Sequence, residues 1–115
     1  MPNDRKITID PAGRRMRVLW RGRVVADSVD SLSLKEHLYP PVLYFPRKDV
    51  DTGLLKRTDS HTTCPFKGVA SYYSLAAEGA VEKDAVWTYE TPLPNMAAIK
   101  DHLAFYPDKV EISPT

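Results

Sequence analysis

The stretch HTTCPFKGVASYY, from His61 to Tyr73, holds the only cysteine of the chain. A cysteine becomes a nucleophile when a nearby cation or base gives it thiolate character. His61 and Lys67 each lie three residues from Cys64. Strand residues at odd separation point to opposite faces, so His61 meets Cys64 only across a turn, which Pro65 could supply. Without that geometry Cys64 reads as a small buried hydrophobe. Cys64 is therefore a weak catalytic candidate, with Asp49 as the other. No metal site is expected: His61 and Cys64 give two donors, and His37, His102 or carboxylates would have to complete the set.

Three further groupings carry chemical potential. Lys67-Gly68 resembles a fragment of a phosphate loop, but such loops need more glycines and a following helix, and a strand follows here. Lys67 is then an isolated charge that could contact an anion. Glu36 beside His37 could do acid–base work, although a solvated position suits Glu36 better. The aromatics Tyr44, Tyr72, Tyr73, Trp87 and Tyr89 fall on three predicted strands, with Arg47, Asp49, Lys67 and Glu90 close by in sequence. Aromatic walls with a few charges at the rim are how small-molecule pockets are commonly built. The expected ligand-binding set is thus Tyr44, Arg47, Asp49, Lys67, Tyr72, Trp87, Tyr89 and Glu90.

Strands must position these residues. In RMRVLWRGRVVADS two β-rich runs flank Arg21-Gly22, a hairpin turn with Val18 and Trp20 on one face and Val24 and Ala26 sharing another. Leu32 and Leu34 alternate with Ser31, Ser33 and Lys35 in a third strand. VLYFP forms a short strand ended by Pro46, and Asp51-Thr52-Gly53 favours a bend. Leu54-Leu55 opens a strand toward Cys64. VASYYSL and AVWTYE follow as strands joined by a turn at EGA, with Ala85, Trp87 and Tyr89 on one face. Met96, Ile99, Leu103 and Tyr106 recur at steps of three and four, which predicts a helix capped by Asn95 and stopped by Pro107. KVEI closes with a strand.

A chain of 115 residues fits one domain, able to bury roughly 65% of its unfolded surface. The expected division is one domain over 1–115, with a core at 17–112 and loose tails at 1–6 and 113–115. Sixteen basic and fifteen acidic residues give a net charge of +1, so no nucleic-acid partner is expected. The basic run from Arg5 to Arg23 reads as a solvated hairpin face. One cysteine makes neither an internal disulfide nor a four-cysteine zinc site. The N-terminal residues lack a signal-peptide core and no run approaches the ~18 apolar residues of a membrane helix, so a cytoplasmic protein with no membrane partner is expected.

The segments VVADS, YFPRKDV, HTTCPFKGVASYYS, AVWTYETPLP and LAFYPDKVEI occur in an order that resembles the bacterial domain-of-unknown-function 427 family. The resemblance spans about Arg17 to Ile112. It implies a mainly β fold: a small antiparallel, tent-like sheet system with one C-terminal helix, as also seen in methionine sulfoxide reductase B and related zinc-bearing domains. Those relatives use paired Cys-x-x-Cys motifs, which this chain lacks, so neither zinc nor reductase chemistry carries over. The family has also carried a nucleotidyltransferase label. Asp49-Val50-Asp51 is the only feature matching such chemistry, and Mg²⁺ would be needed only there. The leading expectation is a domain binding a small ligand, anionic if Lys67 meets it. The alternatives are phosphate-linked catalysis through Asp49 and Asp51, or a structural, partner-binding module; a homo-oligomer is compatible with each.

Overall fold

The computed structural model describes residues 6–115. Among them ten strands form in chain order: β1 Ile7–Pro11, β2 Met16–Trp20, β3 Arg23–Ser28, β4 Leu32–Glu36 and β5 Val42–Tyr44, then β6 Leu55–Cys64, β7 Gly68–Ala77, β8 Ala80–Thr88, β9 Leu103–Phe105 and β10 Glu111–Pro114. They pair as three antiparallel sheets with orders β1-β4-β5, β10-β2-β3 and β6-β7-β8-β9. The protein is mainly β. Among the described residues no helix is long and apolar enough to cross a membrane.

The four-stranded sheet is covered on both faces. Side chains alternate along a strand, so neighbouring residues enter different cores. Tyr73, Val86 and Phe105 lie in register and face one core; Tyr72, Trp87 and Ala104 lie one step along and face the other. Met16, Val18, Trp20, Val25 and Ala26 from β2 and β3 close the first core. Leu34 and Tyr44, with Ile7 and Ile9 packed against them, close the second. After β5 the chain divides between the two: Tyr44 enters the second core and Phe45 the first.

Local chemistry accounts for the turns. Arg21 and Gly22 both take positive φ, 51° and 80°, as do Glu78 and Gly79 at 48° and 81°. Two such residues twist in the sense that flanking strands need. The faces near these hairpins depart from simple alternation. A bulge between Val18 and Leu19 inserts Val25 into β3, so Val25 and Ala26 are buried while Val24 is 47% exposed. In β8, Asp84 takes φ 51° at a register shift, sending Ala85 to the first core while Trp87 and Tyr89 belong to the second. The Asp84 carboxylate accepts hydrogen bonds from Thr58 Oγ1 and Ser60 Oγ on β6, both 2.7 Å, across the intervening strand.

The C-terminal helix predicted over 95–106 is replaced by two shorter elements. Pro94–Ile99 is a 3₁₀ helix, kinked at Met96, with Leu93 rather than Asn95 at its start and no side-chain cap. Asp101 takes φ 60° and ends it, and Leu103–Phe105 is strand β9. The apolar spacing is real but has two origins. Met96 and Ile99 match the three-residue turn of a 3₁₀ helix, while Leu103 and Phe105 alternate with Ala104 between two cores. Backbone pairing to β8 and Phe45 outweighs local helical preference.

Strands reach close to both ends of the described residues. β1 lies between the expected tail at 1–6 and the expected core at 17–112, its Ile7 and Ile9 alternating inward and pairing with Glu36 and Leu34. Residues 1–5 of that expected tail lie outside the described residues. At the other end Ser113 and Pro114 pair with Arg17 and Met16, and Thr115 N donates to Arg15 O, so 113–115 is held by β2.

Leu103 is fully buried at the junction of the sheets. Leu103→Ala is expected to lower unfolding stability by about 2–5 kcal/mol, read as a fall in the urea midpoint at unchanged slope.

Candidate functional site

The turn between β6 and β7 begins the site. Lys67 N donates to Cys64 O (3.2 Å), with Pro65 at the second turn position. Gly68 follows at φ 117°, where an added Cβ would sit 3.4 Å from Thr91 O. On its other side Leu93 N donates to Lys67 O (3.0 Å). Lys67 is thus held by backbone contacts in both directions, and its side chain turns inward to the end of β4. There Lys67 Nζ donates to Glu36 Oε1 at 2.7 Å, with the side chains only 11% and 14% exposed. Glu36, expected in solvent, is instead half of a largely buried ion pair. Its sequence neighbour His37 takes φ 50°, its backbone N donating to Lys6 O.

Aromatic residues from three strands enclose a cavity of about 240 Å³ around this pair. β5 supplies Tyr44, β7 supplies Tyr72 and β8 supplies Trp87, with Tyr89 just beyond. Tyr106 completes the ring from the end of β9. Trp87 packs edge-on against Tyr44, centroids 6.3 Å apart, and lies 4.5 Å from the Tyr106 ring. Its Nε1 donates to Tyr44 Oη at 3.3 Å. Tyr72 Oη shares hydrogen bonds with Thr62 Oγ1 (2.9 Å) and Tyr106 Oη (3.2 Å). Burial pushes the Tyr44 hydroxyl up to about 12, against the opposing hydrogen bond from Trp87. Burial also raises Tyr89 and Tyr106 well above the ordinary tyrosine range.

Five of the eight expected ligand-binding residues therefore meet here: Tyr44, Lys67, Tyr72, Trp87 and Tyr89. Arg47, Asp49 and Glu90 do not line this cavity. Arg47 lies over the Tyr73 ring at 5.7 Å, and Arg57 contacts the same ring at 5.9 Å. Arg57 grips Glu90 through two hydrogen bonds of 2.8 and 2.9 Å, and Ser71 Oγ adds one of 3.1 Å. The Arg57 guanidinium foremost, then Ser71, holds the Glu90 carboxyl down at about 2. Asp49 accepts from Ser28 Oγ (2.6 Å) and Lys48 Nζ (3.1 Å), which pull its pKa down. Asp51 caps the short helix Thr52–Leu54 by accepting from Gly53 N (3.1 Å). The two carboxylates of the Asp-x-Asp match thus hold different local structures.

Cys64 is half-buried at the end of β6. His61 sits back in the strand with Nδ1 3.0 Å from Asp59 O, and Lys67 serves Glu36. The Pro65 turn comes after Cys64 and so does not fold His61 back onto it. Among the described residues no group of three or more His, Cys, Asp or Glu side chains comes together as a metal site.

Glu36 and Tyr106 are among the lining residues that the sequence did not assign to a cavity. Glu36 is 31 positions from Lys67, and only the placement of one sheet across another brings them together. Tyr106 was expected on a helical stripe; ending a strand instead, it faces Trp87 and Tyr72.

Fold and site define a small three-sheet β domain with an aromatic cavity closed by an internal ion pair. Residues 8–114 match the family described as Domain of unknown function (DUF427), and the chain belongs to it. The match reaches further at both ends than Arg17 to Ile112, in keeping with the pairing of β1 and β10. No curated protein matches the chain.

Two outcomes test this arrangement. Lys67→Met removes the Lys67 ammonium from the Glu36 carboxylate and is expected to cost about 3–5 kcal/mol in urea unfolding. The double variant Lys67→Met/Glu36→Gln should recover most of that loss. In alkaline titration followed by phenolate absorbance, Tyr44, Tyr89 and Tyr106 should ionise later than free tyrosine. Because their folded pKa values are raised, the stability tied to their neutral forms is present below pH ~10 and falls as pH rises toward 12. Their ionisation should accompany unfolding; early, fully reversible ionisation of all six tyrosines would contradict the burial.

Proposed function

We propose that this protein is a cytoplasmic small-molecule-binding domain whose ligand occupies the aromatic cavity against Lys67 and Glu36. The observation that carries the reading is an ion pair withdrawn from water yet facing a cavity. A buried ion pair is commonly no more stabilising than apolar residues of equal volume, so stability alone gives weak reason to keep one. Beside a cavity it supplies a strong donor and a strong acceptor, set 2.7 Å apart. Trp87, Tyr44 and Tyr106 supply flat walls, and the tyrosine hydroxyls supply further polar contacts.

The pair is electrically balanced, which bears on the ligand class. An anion, as expected from Lys67 alone, would compete with Glu36 for the same ammonium group. A neutral group that both accepts and donates, such as a carboxamide, matches Lys67 and Glu36 together. The preferred ligand is therefore uncharged, flat enough for the aromatic walls, and polar at one edge.

A thermal-shift panel of neutral amides and nucleobases, run beside carboxylates and sugar phosphates, tests this. A neutral binder at 100 times its Kd should stabilise the protein by ~2.7 kcal/mol. That gain should vanish in Lys67→Met/Glu36→Gln. No stabilisation by any compound, or an equal gain in the double variant, would overturn the proposal.

A further inference from the structure

A second cavity, of about 460 Å³, adjoins the first and shares Tyr39, Pro40, Val42 and Trp87 with it. Its remaining lining is Pro41, Leu43, Phe105, Pro107 and Ile112, with no charged side chain. The two cavities differ sharply in chemistry. The first carries the ion pair and tyrosine hydroxyls; the second offers aliphatic, proline and aromatic surface. Trp87 stands between them, its Nε1 engaged by Tyr44 on the first side, leaving its hydrocarbon surface for the second.

Size argues in the same direction. Small-molecule sites usually run to ~300–1,000 Å³, so the first cavity alone is short of that range. The adjoining apolar cavity brings the combined site within it. Walls shared by four residues make this one site with two ends.

Resting on the binding reading above, we infer that the ligand is an amphiphile. Its neutral polar head seats at Lys67–Glu36, and an apolar chain crosses Trp87 into the groove of Pro41, Leu43, Pro107 and Ile112. The occupant is the tail of the same small molecule, because Tyr39, Pro40, Val42 and Trp87 line both cavities and the groove carries no charged side chain. Pro41 and Pro107 are exposed at its rim and can be altered without opening either core.

The test is a titration of the whole protein with straight-chain primary amides from butanamide to octanamide, followed by amide chemical shifts in NMR. Each added methylene should tighten binding by about fourfold until the groove is filled. Pro41→Asp places a charge at the groove and should flatten that series, so that octanamide binds no tighter than butanamide. Pro107→Asp serves as the second variant. Binding of every amide with equal affinity would overturn the amphiphile and leave the polar-head reading standing. An undiminished chain-length gain in both rim variants would likewise overturn it. Failure of all the amides to bind would remove both.

Discussion

Phe45 and Leu103 exchange two backbone hydrogen bonds, each 2.8 Å, and both side chains are fully buried. This bridge ties the small sheet β1-β4-β5 to the four-stranded sheet. It sets where Tyr44 must be, because consecutive residues of an extended chain face opposite ways. Phe45 enters the first core, where it meets Phe105 edge-on with centroids 5.8 Å apart. Tyr44 is thereby delivered to the other side, against Trp87 and Tyr89. The cavity exists because this junction holds one sheet across the face of another.

The same junction places the ion pair. β4 runs beside β5, with Tyr44 opposite Leu32 and Val42 opposite Leu34, so fixing β5 also fixes β4, which ends at Glu36. Lys67 reaches the same point from a different direction, through the turn that links β6 and β7. Two charges separated from water tolerate little error in position, since a misplaced partner leaves the other unpaired. The backbone contacts of Lys67 with Cys64 and Leu93 are the means by which that error is kept small.

Charge is handled differently on the remaining surface. Arg57 and Glu90 pair with side chains 48% and 40% exposed, and Arg15, just before β2, pairs with Asp27 of β3. Such pairs contribute little and are weakened by salt. Arg47 and Arg57 against Tyr73 extend the first of these clusters. It gathers two residues expected at the cavity, Arg47 and Glu90, into a separate surface group.

Much of the fold was legible because it is written in two-residue alternation and turn chemistry. Val18 and Trp20, the Arg21-Gly22 turn, the Tyr72–Tyr73 alternation and the Pro65 turn are local features, and each appears where the residues place it. The family resemblance, too, rests on local motifs. The errors share one cause. Met96, Ile99, Leu103 and Tyr106 satisfy a helical period, yet Leu103 gains more from pairing with Thr88 and Phe45 than from one more helical turn. Val25 and Asp84 sit at bulges, whose register depends on the partner strand and leaves no mark in a single strand's pattern.

The sequence by itself thus determined the mainly β character, the strand positions other than β1 and β9, and the aromatic residues available for a site. Periodicity, turn preference and residue type act over a few residues, so they can be read in order along the chain. Tertiary structure alone decided that Lys67 meets Glu36, that Arg47 and Glu90 go elsewhere, and that Trp87 separates a polar cavity from an apolar one. Those outcomes depend on which sheet crosses which, and that is settled by long-range pairing such as Phe45 with Leu103.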